Sequence, residues 1–313
     1  MQVKQKRDGG VPYIEISGVE CLDVSKTFDC GQCFRFDRVE NSPHAAEYAG
    51  VAFGRYVSFA SDSDKLYIYN ADERDLDNVW RGFLSLDVDY AQIDRDILSH
   101  SAGTVMDSAM EYSRGIRILR QDAYEALISF IISQNNNIPR IKKIIEAMSA
   151  KCGEPIELAP DMKKHTSGVS ALCAFPSVSA LLSLGEEGLT ALKTGFRAKY
   201  IYDAAKALND GRLDLPTLAS MEDTAECIAA LCTIKGVGLK VASCASLFGL
   251  GRYDAFPVDV WMKRVAQKYF PDEAENFSGE RFGKYAGIAQ QYLFYYERYT
   301  SISAASTASA QNV

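Results

Sequence analysis

Short runs that alternate between apolar and polar residues fill the chain up to about Tyr112: "YIEIS", "CFRFDRVE", "EYAGVAFGRYVSFAS" and "KLYIYN", separated by Gly, Asp and Ser. A period of two buries one face of a strand and leaves the other in water, so this region predicts an antiparallel, twisted, half-exposed sheet over residues 11–112. From Arg114 the period lengthens. "DAYEALISFIISQ" sets Tyr124, Leu127, Ile128, Ile131 and Ile132 along one wide face, the spacing of an amphipathic helix. Similar faces recur at 140–150, 178–193, 198–208, 224–234, 239–248, 260–270 and 281–297. The predicted fold class is α+β, a β-rich domain at 11–112 followed by an all-α domain at 113–300. Residues 1–10 read as a flexible N-terminus. The final "SISAASTASAQNV", 301–313, is small, polar and aperiodic, and reads as a disordered tail.

With 313 residues, 47% of them hydrophobic, the chain can bury a full core in about two domains. A net charge of -7 argues against a broadly basic nucleic-acid-binding surface and leaves room only for local basic clusters. Eight irregularly spaced cysteines and an N-terminus, "MQVKQKRDGG", without a signal-peptide pattern suit a reducing cytoplasm or nucleus. No run reaches the length of a membrane span. A phosphate-binding G-x-x-x-x-G-K-[ST] is missing, and "GVGLKVAS" lacks the preceding strand of a dinucleotide site. His44, His100 and His165 lie far apart, "CGQC" at 30–33 has no second pair, and no late run of four cysteines could hold an iron-sulfur cluster. No metal and no cofactor is expected. The remaining chemistry rests on Lys, Asp, backbone groups and one thiol.

Two placements stand out. Between the predicted helices 224–234 and 239–248, "KGVG" turns the chain into a helix-hairpin-helix. There Gly236 and Gly238 allow positive φ and close backbone approach. The free N–H groups that open the second helix can dock a phosphate without reading a base. The hairpin alone fits an ordinary αα-turn equally well. Lys240, however, stands in the first helical turn, where the helix dipole disfavours a cation. That field in apolar surroundings favours the neutral amine, a nucleophile. In "FPVDVWM", Asp259 sits among Pro257 and valines. A carboxylate there can stabilise positive charge developing at a sugar C1′, and it is also well placed to cap the following helix.

"KGVGLKVASC" with "FPVDVWM" resembles the helix-hairpin-helix Gly-Pro-Asp superfamily of DNA glycosylases, and the hairpin lysine resembles its bifunctional members. "CGQCFRF" (30–36), "SQNNNIPRI" (133–141), "GFRAKYI" (195–201) and "AQQYLF" (289–294) are similar to the 8-oxoguanine DNA glycosylase family in particular. The resemblance implies a monomeric base-excision-repair enzyme acting on double-stranded DNA that carries 8-oxoguanine, opposite cytosine, with no membrane association. Amine attack by Lys240 at C1′ would expel the flipped base and leave a Schiff base, whose elimination nicks the strand. Gly31 would offer its carbonyl to N7–H, a proton that guanine lacks. Gln290 would read the Watson-Crick edge, and Phe294, one turn on, would stack on the base opposite Cys244.

The resemblance also assigns the DNA contacts. Asn135 would enter the gap left by the flipped nucleotide, and Arg140 and Arg197 would read the orphaned cytosine. Phe196 would wedge the duplex where relatives often carry tyrosine. Trp261 stands where mammalian-type members have a phosphate-facing histidine. "NNNIPRIKK", "GFRAK" and "WMKR" could supply a local basic face despite the net -7. Two rival readings stay open: a monofunctional glycosylase for adenine or alkylated bases, and a non-catalytic helix-hairpin-helix DNA-binding module.

Overall fold

The computed structural model describes residues 1–166 and 172–310. Six strands, β1 (Gln2–Asp8), β2 (Val11–Ser17), β3 (Phe36–Arg38), β4 (Ala46–Ala52), β5 (Arg55–Asp62) and β6 (Lys65–Tyr69), form one antiparallel sheet in the order β1-β2-β6-β5-β4-β3. Alternation along β5 explains its two cores. Val57 and Phe59 pack with Phe28, Trp80 and Phe83 on one face, while Tyr56 and Ala60 pack with Val39 and Met162 on the other. The sheet is therefore covered on both faces rather than half-exposed, and every residue of β4 is buried. The cover is a loop from the helical half, 154–166. Its His165 stacks on Tyr69 at 3.7 Å between ring centroids, and Met162 fills the core beneath. Glu47 and Ser58 on this face are buried and hydrogen-bonded, with Ser58 Oγ donating to Glu47 Oε1 at 2.5 Å.

Three further expectations are corrected. Residues expected to be flexible at the N-terminus form β1, paired with β2 from Gln2↔Ser17 to Asp8↔Val11. Its side chains are largely exposed and it is held by backbone bonds, so it carries no apolar signature, and its lysines suit an unpaired sheet edge. The stretch before Tyr112 is also not all strand. After helix α1 (Val24–Asp29) in the β2 to β3 connection come a helical run at 73–83, α2 (Tyr90–Ser101) and α3 (Val105–Ser113). Tyr90, Ile93 and Ile97, with Met106 and Ala109, repeat at helical spacing and join the helical core, which thus begins well before residue 113.

The helical half continues as α4 (Ala123–Ser133), α5 (Ile138–Cys152), α6 (Val178–Ala191), α7 (Ala198–Asn209), α8 (Leu215–Ser220), α9 (Thr224–Leu231), α10 (Leu239–Gly249), α11 (Val260–Tyr269) and α12 (Ala286–Ala310). Helix α4 is its axis: Ala126 to Ile132 are all buried, and Phe130 stacks on Phe248 of α10 at 5.2 Å. The last correction concerns the tail. Helix α12 runs on to Ala310, as the high helix propensity of its alanines favours. Residues 311–313 of the expected tail lie outside the described residues.

Candidate active site

The hairpin between α9 and α10 is shaped by one glycine. Gly236 has φ +80°, and a Cβ built on it would lie 2.3 Å from the Tyr200 ring of α7, so no other residue fits. Lys235 N donates to Asp203 Oδ2 at 3.0 Å and pins the same turn to α7. Gly238 is different: it has extended backbone, open space where a Cβ would stand, and no side chain capping the start of α10. The first-turn N–H groups of α10 therefore lack a side-chain acceptor, a suitable seat for an anion.

Two turns of sequence place the chemistry beside this seat. Lys240 Nζ donates to Ser133 Oγ at 3.1 Å and lies 5.3 Å from the centre of the Phe130 ring. Both partners come from the end of α4, which holds the amine at the base of a cleft. Cys244, one turn later, is buried; burial pushes its thiol up to about 11, against the pull of Lys240, so it is a neutral packing surface. Asp259 caps α11, with Oδ1 accepting from Met262 N at 2.9 Å, while Oδ2 has no partner among the described residues.

Two cavities meet at these residues. An inner pocket is walled by Gly31, Cys244, Gln290 and Phe294, with Phe130, Phe248 and Pro257 also lining it. An outer groove runs past Asn135, Gly238, Leu239, Val260, Trp261 and Lys263. Lys240 and Asp259 line both. The inner pocket holds unused hydrogen-bonding capacity. Gln290 is 4% exposed and its Oε1 has no partner among the described residues. The Gly31 carbonyl accepts no hydrogen bond from the described residues. Gly31 adopts φ +80°, and a Cβ there would meet Ile138 at 3.3 Å and Phe294 at 3.8 Å, so a side chain would be strained and would crowd the pocket wall.

The structure thus brings together Gly31, Lys240, Cys244, Asp259, Gln290 and Phe294. The residues expected to touch DNA form a second group. Asn135 is exposed with φ +46° on the loop after α4, and Phe196 is 48% exposed. Arg140 is exposed, and its guanidinium has no partner among the described residues. Arg197 differs. Only 3% exposed, it donates to the carbonyls of Gln134 (Nε, 2.8 Å), Asn135 (3.0 Å) and Thr194 (3.1 Å). It ties the Asn loop to the Phe196 loop, and its donors are occupied. Burial, and then Arg140 nearby, lower its pKa.

Sequence reasoning missed two supports. Ser133 holds the amine. Gln291 is buried and donates to the Cys30 carbonyl at 2.8 Å, fixing the loop that carries Gly31. The second Gln of "AQQYLF" was the available signal. Among the described residues no group of three His, Cys, Asp or Glu could hold a metal ion, and no helix is long and apolar enough to cross a membrane.

Comparison with known proteins agrees with this geometry. Residues 14–127 match the family model for the 8-oxoguanine DNA glycosylase N-terminal domain, and 128–279 that of the HhH-GPD superfamily base excision DNA repair protein. The N-glycosylase/DNA lyase OGG1 of Arabidopsis thaliana is 31% identical over 298 residues, 87% of this chain and 76% of that protein. The structure of Clostridium acetobutylicum 8-oxoguanine glycosylase/lyase, in complex with dsDNA containing cytosine opposite 8-oxoG, superposes with a TM-score of 0.85. It is 36% identical and covers 96% of this chain and 99% of that one. An Archaeoglobus fulgidus 3-methyladenine DNA glycosylase, 21% identical with a TM-score of 0.68, covers 92% of this chain and 99% of its own, and shares the fold.

Proposed function

Because this chain belongs to the 8-oxoguanine DNA glycosylase family, we propose that it excises 8-oxoguanine from duplex DNA, opposite cytosine, and nicks the strand, with Lys240 as nucleophile and Asp259 as charge stabiliser. The observation that carries the assignment is the shared wall: among the described residues, Lys240 and Asp259 alone line both the inner pocket and the outer groove. A strand lying in the groove with its damaged base in the pocket passes its C1′ between them.

Each step then has a group. The uncapped start of α10 and the exposed cations around Asn135 and Arg140 receive the backbone. The base enters between Phe294 and Cys244, its amide edge meets the unpartnered Gln290 Oε1, and its N7–H meets the free Gly31 carbonyl. Guanine offers no N7–H and leaves that carbonyl buried without a donor, at a cost of about 1–3 kcal/mol. The free Oδ2 of Asp259 faces the positive charge that grows on the sugar as the C1′–N9 bond breaks. Lys240 then holds C1′ as a Schiff base, and elimination cleaves the 3′ phosphate. A non-catalytic module gives no reason for an amine and a carboxylate to share that wall.

Borohydride added to the protein with an 8-oxoguanine duplex should leave a covalent protein-DNA adduct. Lys240→Gln should abolish the adduct while lesion binding persists, because the pocket and the phosphate seat are untouched. Efficient trapping by the Gln variant would remove Lys240 from its role.

A further inference from the structure

Among the described residues seven large apolar side chains are exposed, and the two most exposed are Leu239, at 73%, and Val260, at 66%. They are also the chain neighbours of Lys240 and Asp259. Each opens a helix, α10 and α11 respectively, and both line the outer groove. Exposed first-turn positions of helices are ordinarily polar, and their backbone donors are better served by polar neighbours. Two apolar side chains flanking an amine and a carboxylate, and open to water in the unbound protein, need an occupant that covers them. The groove's polar lining identifies it as a DNA strand: Lys263 and the uncapped N–H groups of α10 are the donors for its phosphates. The apolar pair is left for the C–H faces of the deoxyribose rings.

Resting on the function proposed above, we infer that Leu239 and Val260 form an apolar rim that closes over the reacting sugar and excludes water, committing C1′ to capture by the lysine. When the C1′–N9 bond breaks, its electron pair leaves with the base, which takes up a proton. Two nucleophiles can then bond to C1′. Capture by the amine forms a C–N bond, releases a proton and, after the C1′–O4′ bond opens, gives the Schiff base that leads to a nicked strand. Capture by water forms a C–O bond, releases a proton and leaves an unbroken abasic strand. Both balance, so the outcome depends on which nucleophile reaches the carbon. A dry rim suppresses the second route. Leu239 and Val260 touch the sugar's surroundings rather than the reacting atoms, and are positioning residues.

The test reads a ratio and not a rate. Single-turnover excision is run with borohydride present from the start, so that a Schiff base is fixed as adduct and an abasic aldehyde is reduced to the alcohol. Per base released, Leu239→Gln and Val260→Thr should each lower the adduct fraction, and together by about threefold or more. Leu239→Met and Val260→Ile, which keep the surface apolar, should retain the wild-type fraction. An unchanged adduct fraction in the polar variants, at whatever excision rate, overturns the rim alone. Absence of any adduct from the wild-type protein overturns the rim together with the function on which it rests.

Discussion

Two clusters of polar groups in this molecule obey opposite rules. On the outer face of the sheet, Glu47 is 1% exposed and accepts from Ser42 and from Ser58, with His165 Nδ1 at 2.8 Å. Close by, His44 bridges Asp62 Oδ2 at 2.6 Å and Tyr69 Oη at 2.7 Å. Only His165 Nε2 lacks a hydrogen bond, and it faces Asp8 Oδ2 at 3.7 Å. In the inner pocket the groups do not answer one another. Gln290 Oε1, the Gly31 carbonyl and Asp259 Oδ2 have no partner, and Lys240 has one hydroxyl. A closed network joins two parts of a fold. Groups that converge on empty space keep their desolvation cost until a ligand supplies the missing bonds.

The sharpest way to break this contrast is to alter charge in the pocket without altering shape. Asp259→Asn keeps the cap on α11, since Asn caps about as well as Asp, but removes the negative charge. Single-turnover excision should fall by about two orders of magnitude, with thermal melting close to wild type. Near-normal excision by the folded variant would reduce Asp259 to a cap. The converse change belongs in the closed network. Glu47→Gln should cost about 1–3 kcal/mol of stability in chemical denaturation while excision persists. Burial alone would raise the Glu47 carboxyl, but hydrogen bonds from His165, Ser42 and Ser58 outweigh it and hold it below its ordinary 4.5. That stabilisation is complete above the ordinary value and is lost as pH falls through the depressed one. The Gln variant should lack that acid-side loss; the same slope in both proteins would mean the network is not held by this charge.

The smallest effect tests the groove's edge, where neither rule applies. Arg264 is exposed, has no acidic partner among the described residues, and lies 4.6 Å over the Trp261 ring that lines the groove. If it meets a phosphate, Arg264→Ala should weaken binding to damaged and undamaged duplex alike and flatten the log Kd against log salt slope by about 1. A selective loss on damaged duplex would place Arg264 within lesion recognition instead.

How much of this was legible in the sequence depended on where each residue's partners lie. Most helices after Asp122 declare themselves by an apolar face, several with a cap beside it, as Asp122 and Asp259 show. Gln290 and Phe294 could be paired because one helical turn separates them. Strand β1 was hidden because hydrogen bonding to β2 leaves no apolar pattern. Helices α2 and α3 were hidden among strand-like neighbours, although Tyr90, Ile93 and Ile97 carry the helical period. The cover over Glu47 was hidden because His165 lies 118 residues away. Ser133 is ordinary at a helix end until Lys240, 107 residues on, reaches it. Arg197 shows the limit of motif reasoning: the motif gave its position, but the backbone carbonyls around it determine what its donors touch.

The bond from Gln291 to the Cys30 carbonyl spans 261 residues, and it has a bearing on biosynthesis. A ribosome delivers the Gly31 loop long before α12, at about 5–20 residues per second. Until α12 emerges, the lesion pocket has neither its Gln290 wall nor the anchor of its opposite wall. An unfinished chain can already present the hairpin and its amine, but it has no place to hold a base. Competence to cut DNA is thereby withheld until α12 has emerged, and a product truncated before it should bind duplex without damaging it.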